Sequence, residues 1–121
     1  MLLIVRIREG IPVSCLRKLA STLGMNVPQF LSTVGLSKMS VERRSKGERV
    51  LTVNGGNLLV RIAQVYRITL DVFGSQELAG NWLKQELYTL GGASPLSLCD
   101  TEFGADLVRR QLRAIEHGMP V

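Results

Sequence analysis

Apolar residues recur along most of this chain at intervals of three and four, and glycines divide the pattern into short segments, so the elements read as helices. In residues 13–23 the positions Leu16, Leu19, Ala20 and Leu23 share one face, with Pro12 in front and Gly24 behind. Asn26 caps a second helix that carries Pro28 in its first turn, points Phe30, Leu31 and Val34 inward and stops at Gly35. Ser37 then caps a third helix over residues 38–46. Two helices around a glycine-containing turn, the second one basic, form a helix-turn-helix pattern. Residues 58–73 place Leu59, Ile62, Ala63, Tyr66 and Leu70 on one face and predict the longest helix. Its start is set after Gly55-Gly56, because a glycine costs about 1 kcal/mol in a helix interior. Gly74 closes it, and Ser75 caps the next helix, with Leu78, Trp82 and Leu83 inward and Gly80 at a close-packing position. Leu90-Gly91-Gly92-Ala93 is a loop, Ser94-Pro95 opens a short helix, and Thr101 caps the last one, residues 102–117, with a stripe of Phe103, Leu107, Val108, Leu112 and Ile115. A short strand is expected only at residues 2–7, and the expected fold class is all-α.

Composition narrows this picture without changing it. With 121 residues, 45% hydrophobic and 21% charged, the chain fits one compact domain or two small lobes sharing a core. The longest apolar run is Met1 to Val5, far short of the roughly 20 residues of a membrane span, and Arg6 and Arg8 follow it where a signal peptide would have them precede it. A cytoplasmic chain with no membrane partner is expected. Cys15 and Cys99 show no paired spacing and read as small apolar residues.

Charge is distributed unevenly. The net charge of +5 divides into +6 over residues 1–50 and −1 over residues 51–121. The basic density peaks at Lys38, Arg43, Arg44, Lys46 and Arg49, the footprint expected for a polyanion such as nucleic acid, although a solvated helix face gives the same pattern. Catalytic groups are sparse by comparison. His117, the only histidine, falls at a helix C-terminus where it offsets the macrodipole, and no phosphate loop, nucleophile elbow or metal spacing is written in the sequence. A non-enzymatic chain without cofactors is expected.

The C-terminal half carries a more specific signal. In order, it reads Asp71-Val72-Phe73-Gly74, then Leu78, Ala79, Trp82 and Leu83, then Leu90-Gly91-Gly92-Ala93-Ser94-Pro95-Leu96, then Thr101-Glu102-Phe103-Gly104, and finally Val108, Leu112 and Ile115-Glu116-His117-Gly118. In order and spacing this resembles the toxin-binding domain of the Xre/MbcA/ParS family of type II antitoxins over residues 51–121. Val27-Pro28, Gly35-Leu36-Ser37 and Arg43-Arg44 are similar to the Xre-like helix-turn-helix portion of the same antitoxins, which gives a division into a DNA-binding lobe, 1–50, and a toxin-binding lobe, 51–121.

That resemblance implies an antitoxin whose partner is a RES-domain toxin that consumes NAD, with the antitoxin shielding the toxin's active site. It assigns toxin contact to Arg109, Arg113, Glu116, His117, Gly118, Met119 and Val121. Operator DNA would meet Ser37, Lys38, Ser40, Arg43, Arg44 and Lys46, in a homodimer because a two-fold operator needs two recognition helices about 34 Å apart. The alternative is a helix-turn-helix transcriptional regulator whose C-terminal half only dimerises.

Overall fold

A computed structural model describes residue 7, residues 9–35, the backbone of 41–43, and residues 49–118. Among these residues the architecture is all-α apart from one short antiparallel strand pair. Helix α1 (Val13–Thr22) is followed by α2 (Val27–Val34), the strands β1 (Val41–Arg43) and β2 (Arg49–Leu51), the long α3 (Val53–Phe73), α4 (Gln76–Lys84), a single 3₁₀ turn (Tyr88–Leu90), the short α5 (Pro95–Leu98) and α6 (Glu102–Glu116).

Short polar side chains start each of these helices except α1, which follows Pro12 with no side-chain cap, and left-handed glycines end α2 and α3. Asn26 accepts a hydrogen bond from the Gln29 amide at 2.9 Å while the Gln29 side chain accepts from the Asn26 amide at 3.2 Å, a reciprocal capping box. Ser75, Ser94 and Thr101 accept from the amides of Leu78, Ser97 and Gly104. Gly35 and Gly74 end α2 and α3 at φ 73° and 80°, a region that costs other residues about 1 kcal/mol or more.

The interior is one continuous cluster. Leu16, Ala20 and Leu23 from the α1 region and Phe30 and Val34 from α2 meet Leu59, Ile62 and Val65 of α3, Leu83 of α4, Leu96 of α5 and Ala105, Val108 and Leu112 of α6. Gly80 lies against the backbone of Leu23, where an added Cβ would stand 3.5 Å from the carbonyl oxygen, as the expected close-packing role requires. Phe73 and Trp82 pack as tilted rings 5.6 Å apart at the turn from α3 to α4. Thr69 is the one buried polar side chain among the described residues, and its hydroxyl donates to the Val65 carbonyl at 2.7 Å.

Several expectations are corrected. The third helix expected over residues 38–46 is not formed at residues 41–43, the described part of that span, which are the strand β1 and pair antiparallel with β2 in the register Val41 to Leu51, Glu42 to Val50 and Arg43 to Arg49. A helix there would have had only Met39 and Val41 to bury, whereas β2 buries Val50 and Leu51 and is held on its other side by the Leu51 amide donating to the Ile11 carbonyl at 2.8 Å. At Ile7, the one described residue of the expected strand at 2–7, the backbone is helical. Helix α3 begins at Val53, five residues before the predicted start. Thr52 caps it by accepting from the Gly55 amide, and Gly56 is covered by the side chains of Ile7 and Ile11, so a close approach offsets the low helix propensity of the glycine pair. The buried face of α3 is also turned from the expected one: Leu58, Leu59, Ile62, Val65 and Thr69 face inward, Tyr66 and Leu70 are half-buried and Ala63 is exposed. Leu78 is 54% exposed rather than inward, because α4 turns Ala79, Gly80 and Leu83 to the core.

Candidate functional site

The site is built on α6 and the turn before it. Thr101 caps the helix by accepting from the Gly104 amide at 3.0 Å. Gly104 is pressed so closely on the Leu98 carbonyl oxygen that a Cβ would overlap it. With Gly104, Ala105, Val108 and Leu112 facing the core, the neighbouring Phe103 is turned outward and is 76% exposed. The sequence pattern had included Phe103 in the apolar stripe; an aromatic at the first turn of a helix can follow the stripe's spacing and still overhang the end of the core.

Around that turn lies a network of four charged groups. Arg61, from the middle of α3, donates from Nε to the Glu102 carboxylate at 3.1 Å and from Nη1 to the carbonyls of Cys99 and Asp100 at 3.1 and 3.2 Å. Arg109, two turns further along the same face of α6, donates from Nη1 to the other Glu102 oxygen at 2.7 Å and to Asp106 at 3.0 Å. The hydrogen bond from Arg109, supported by that from Arg61, holds the Glu102 carboxyl below the usual carboxylate range, and the same contact raises Arg109. The two guanidinium side chains are only 20% and 18% exposed, whereas Glu102 is largely in water.

This network decides how the expected site residues are placed. Arg109, assigned to toxin contact, is engaged in holding its own helix. Arg113, Glu116, His117 and Gly118 are exposed at the far end of α6, where Gly118, at φ 67°, donates its amide to the Ile115 carbonyl. Glu116 and His117 approach to 4.0 Å with both side chains in water, a contact that contributes little. Met119 and Val121 lie outside the described residues, as do Ser37, Lys38, Ser40, Arg44 and Lys46. Arg43 ends β1 opposite Arg49 of β2, so this part of the basic stretch is carried by a strand pair and not by a recognition helix. Sequence reasoning missed Arg61 and passed over Glu102: no local motif announces a contact 41 residues apart.

Other features offer less chemistry. A groove of about 890 Å³ runs between Pro28, Gln29 and Ser32 of α2 and the segment carrying Lys84, Glu86 and Ser94. Its neighbouring loop is closed on itself, with the Leu87 amide donating to the Ala93 carbonyl and the Gly92 amide to the Leu87 carbonyl. Cys99 is fully buried and its thiol donates to the Pro95 carbonyl at 3.4 Å. Burial pushes that thiol up to about 12, which removes it as a nucleophile at neutral pH. Cys15 is only half-buried. Among the described residues, no helix is long and apolar enough to cross a membrane.

Comparison with known proteins points at this same end of the chain. Residues 70–118, from the last turn of α3 through α6, match the family model described as the antitoxin Xre/MbcA/ParS C-terminal toxin-binding domain. Similarity to characterised relatives extends further. A protein named Antitoxin Xre from Photorhabdus laumondii is 30% identical over 114 residues, covering 93% of this chain and 77% of the relative. The Prs ADP-ribosylating antitoxin of a Sphingobium species is 24% identical over 121 residues, with 93% and 76% covered. A second Antitoxin Xre, from Yersinia enterocolitica, is 26% identical over 114 residues, with 93% and 77% covered.

Proposed function

This chain belongs to the Xre/MbcA/ParS family of antitoxins, and from that premise we propose that it neutralises a RES-domain, NAD-consuming toxin by laying the outer face of α6 and the residues after it over the toxin's active site. The observation that supports this reading is the composition of that face. Phe103, Arg110, Arg113 and His117 recur at helical spacing, all exposed, on an element whose opposite side is fully committed to the core. An aromatic and arginines on a rigid helix are the residue types that dominate protein interfaces. The chain acts as a blocker and not as a catalyst.

Co-purification with the product of the neighbouring reading frame, followed by an assay of NAD loss, tests this. A stable complex with suppressed NAD loss is expected, and deletion of residues 118–121 together with Arg113→Ala is expected to restore it. A complex that forms but leaves NAD loss unchanged refutes the shielding mechanism.

The same reading extends to DNA. The lobe formed by residues 1–50 would bind operator DNA as a homodimer, and what supports it is the concentration of Lys38, Arg43, Arg44, Lys46 and Arg49 in twelve residues. In this reading the basic side chains act mainly on phosphates, which sets affinity and salt dependence more than sequence choice. Replacing Arg43 and Arg44 by alanine is expected to weaken DNA binding and flatten its salt slope, while toxin inhibition survives. Equal loss of both activities would contradict the division between lobes.

A further inference from the structure

We propose that Arg61 is a positioning residue for toxin docking: from α3, outside the segment matched to the toxin-binding domain, it fixes the first turn of α6 and so presents Phe103 in its bound orientation. The inference rests on the reading of α6 as the docking helix.

Three observations carry it. First, Arg61 satisfies three acceptors at once, the Glu102 carboxylate and the carbonyls of Cys99 and Asp100, all between 3.1 and 3.2 Å. These acceptors bracket Thr101, the residue that caps α6, so one planar guanidinium fixes both sides of the helix start. Lysine, a point donor on a flexible stem, has no fork to reproduce that geometry. Second, Glu102 is shared: its other oxygen takes Arg109 at 2.7 Å, and Arg109 also holds Asp106. The carboxylate therefore links α3 to the second turn of α6. Third, Phe103 follows Glu102 directly and is 76% exposed. A first turn held only by its own backbone frays, and an anchor on it must be ordered when the partner arrives; a clamped turn has been ordered in advance. The paired charges beside Phe103 also supply part of the polar rim that an apolar anchor has in a protein interface.

Two measurements on the full chain separate the clamp from the docking it serves. In the free protein, amide exchange at Ala105 and Asp106 reports the first turn of α6 without any toxin. Arg61→Ala is expected to speed it about tenfold while exchange in α1 stays unchanged. Unchanged exchange at both amides overturns the clamp. In the second measurement, dissociation from a catalytically inactive form of the neighbouring reading frame's product is followed for Arg61→Ala, Phe103→Ala, the double variant and Arg61→Ala with Arg113→Ala. About tenfold faster release is expected for each of the first two, no further acceleration in the first double, and multiplied effects in the second. Multiplied effects in both doubles would mean that Arg61 acts on stability alone and would overturn the positioning role. Glu102→Gln, which keeps the shape and removes the charge, is expected to reproduce the exchange change without loss of folding. If the wild-type chain fails to bind that product at all, the docking reading falls with it, while the exchange data still decide the clamp.

Discussion

Gly104 and Cys99 show how single positions are constrained by what lies above them and not by their own chemistry. A methyl group at position 104 has no room beside the Leu98 carbonyl, which is backbone and cannot rotate away. Gly104→Ala is therefore expected to lower stability by roughly 2–4 kcal/mol, read as a drop in denaturation midpoint at unchanged slope. The Cys99 thiol, fully buried and pushed up to about 12, should resist alkylation in the native state while the half-buried Cys15 reacts, and the two should become equal in denaturant. Glu102 behaves in the opposite sense. Its folded value is depressed, so the stabilisation its ionised form gives is present above the usual carboxylate range and is lost as pH falls through the folded value. Because Glu102 is exposed, the effect is modest and screened by salt, and it should appear as loosening of the α6 start in acid, visible in amide exchange at Ala105.

At the scale of elements, the helices that could be read from the chain are those with local signals. Asn26, Ser75, Ser94 and Thr101 cap where they were expected to, and Gly35 and Gly74 stop the preceding turns. What escaped the sequence depends on distant partners. The cap at Thr52 makes sense only once Ile7 and Ile11 cover Gly56, and β2 exists because Val50 and Leu51 are taken up by the core beside the 11–12 segment. The outward turn of Phe103 follows from Gly104 meeting Leu98, and the hold of Arg61 on Glu102 joins two helices far apart in the chain. Removing the Thr52 hydroxyl tests the corrected start of α3. Thr52→Val is expected to cost about 1 kcal/mol, and no change would place the start beyond the glycine pair after all.

Across the described residues, the two halves that differ in charge share one core. Phe30 and Val34, Leu59 and Ile62, Val108 and Leu112 belong to one cluster, and the Gln76 side chain donates to the Thr22 carbonyl across the seam at 3.2 Å. Phe30→Ala should accordingly cost about 3–5 kcal/mol and shift one cooperative transition, seen alike by Trp82 fluorescence and by helical circular dichroism. Two separated transitions would show that the lobes fold independently. The loop between α4 and α5 stands apart from this unity. Its entry and exit are tied together at Leu87 and Ala93, and at its crest Tyr88 is 98% exposed. Chain arriving at Leu87 thus leaves from the same place at Ala93, which makes the crest a natural splice point: an affinity tag or a small reporter domain grafted there would hang from a closed neck.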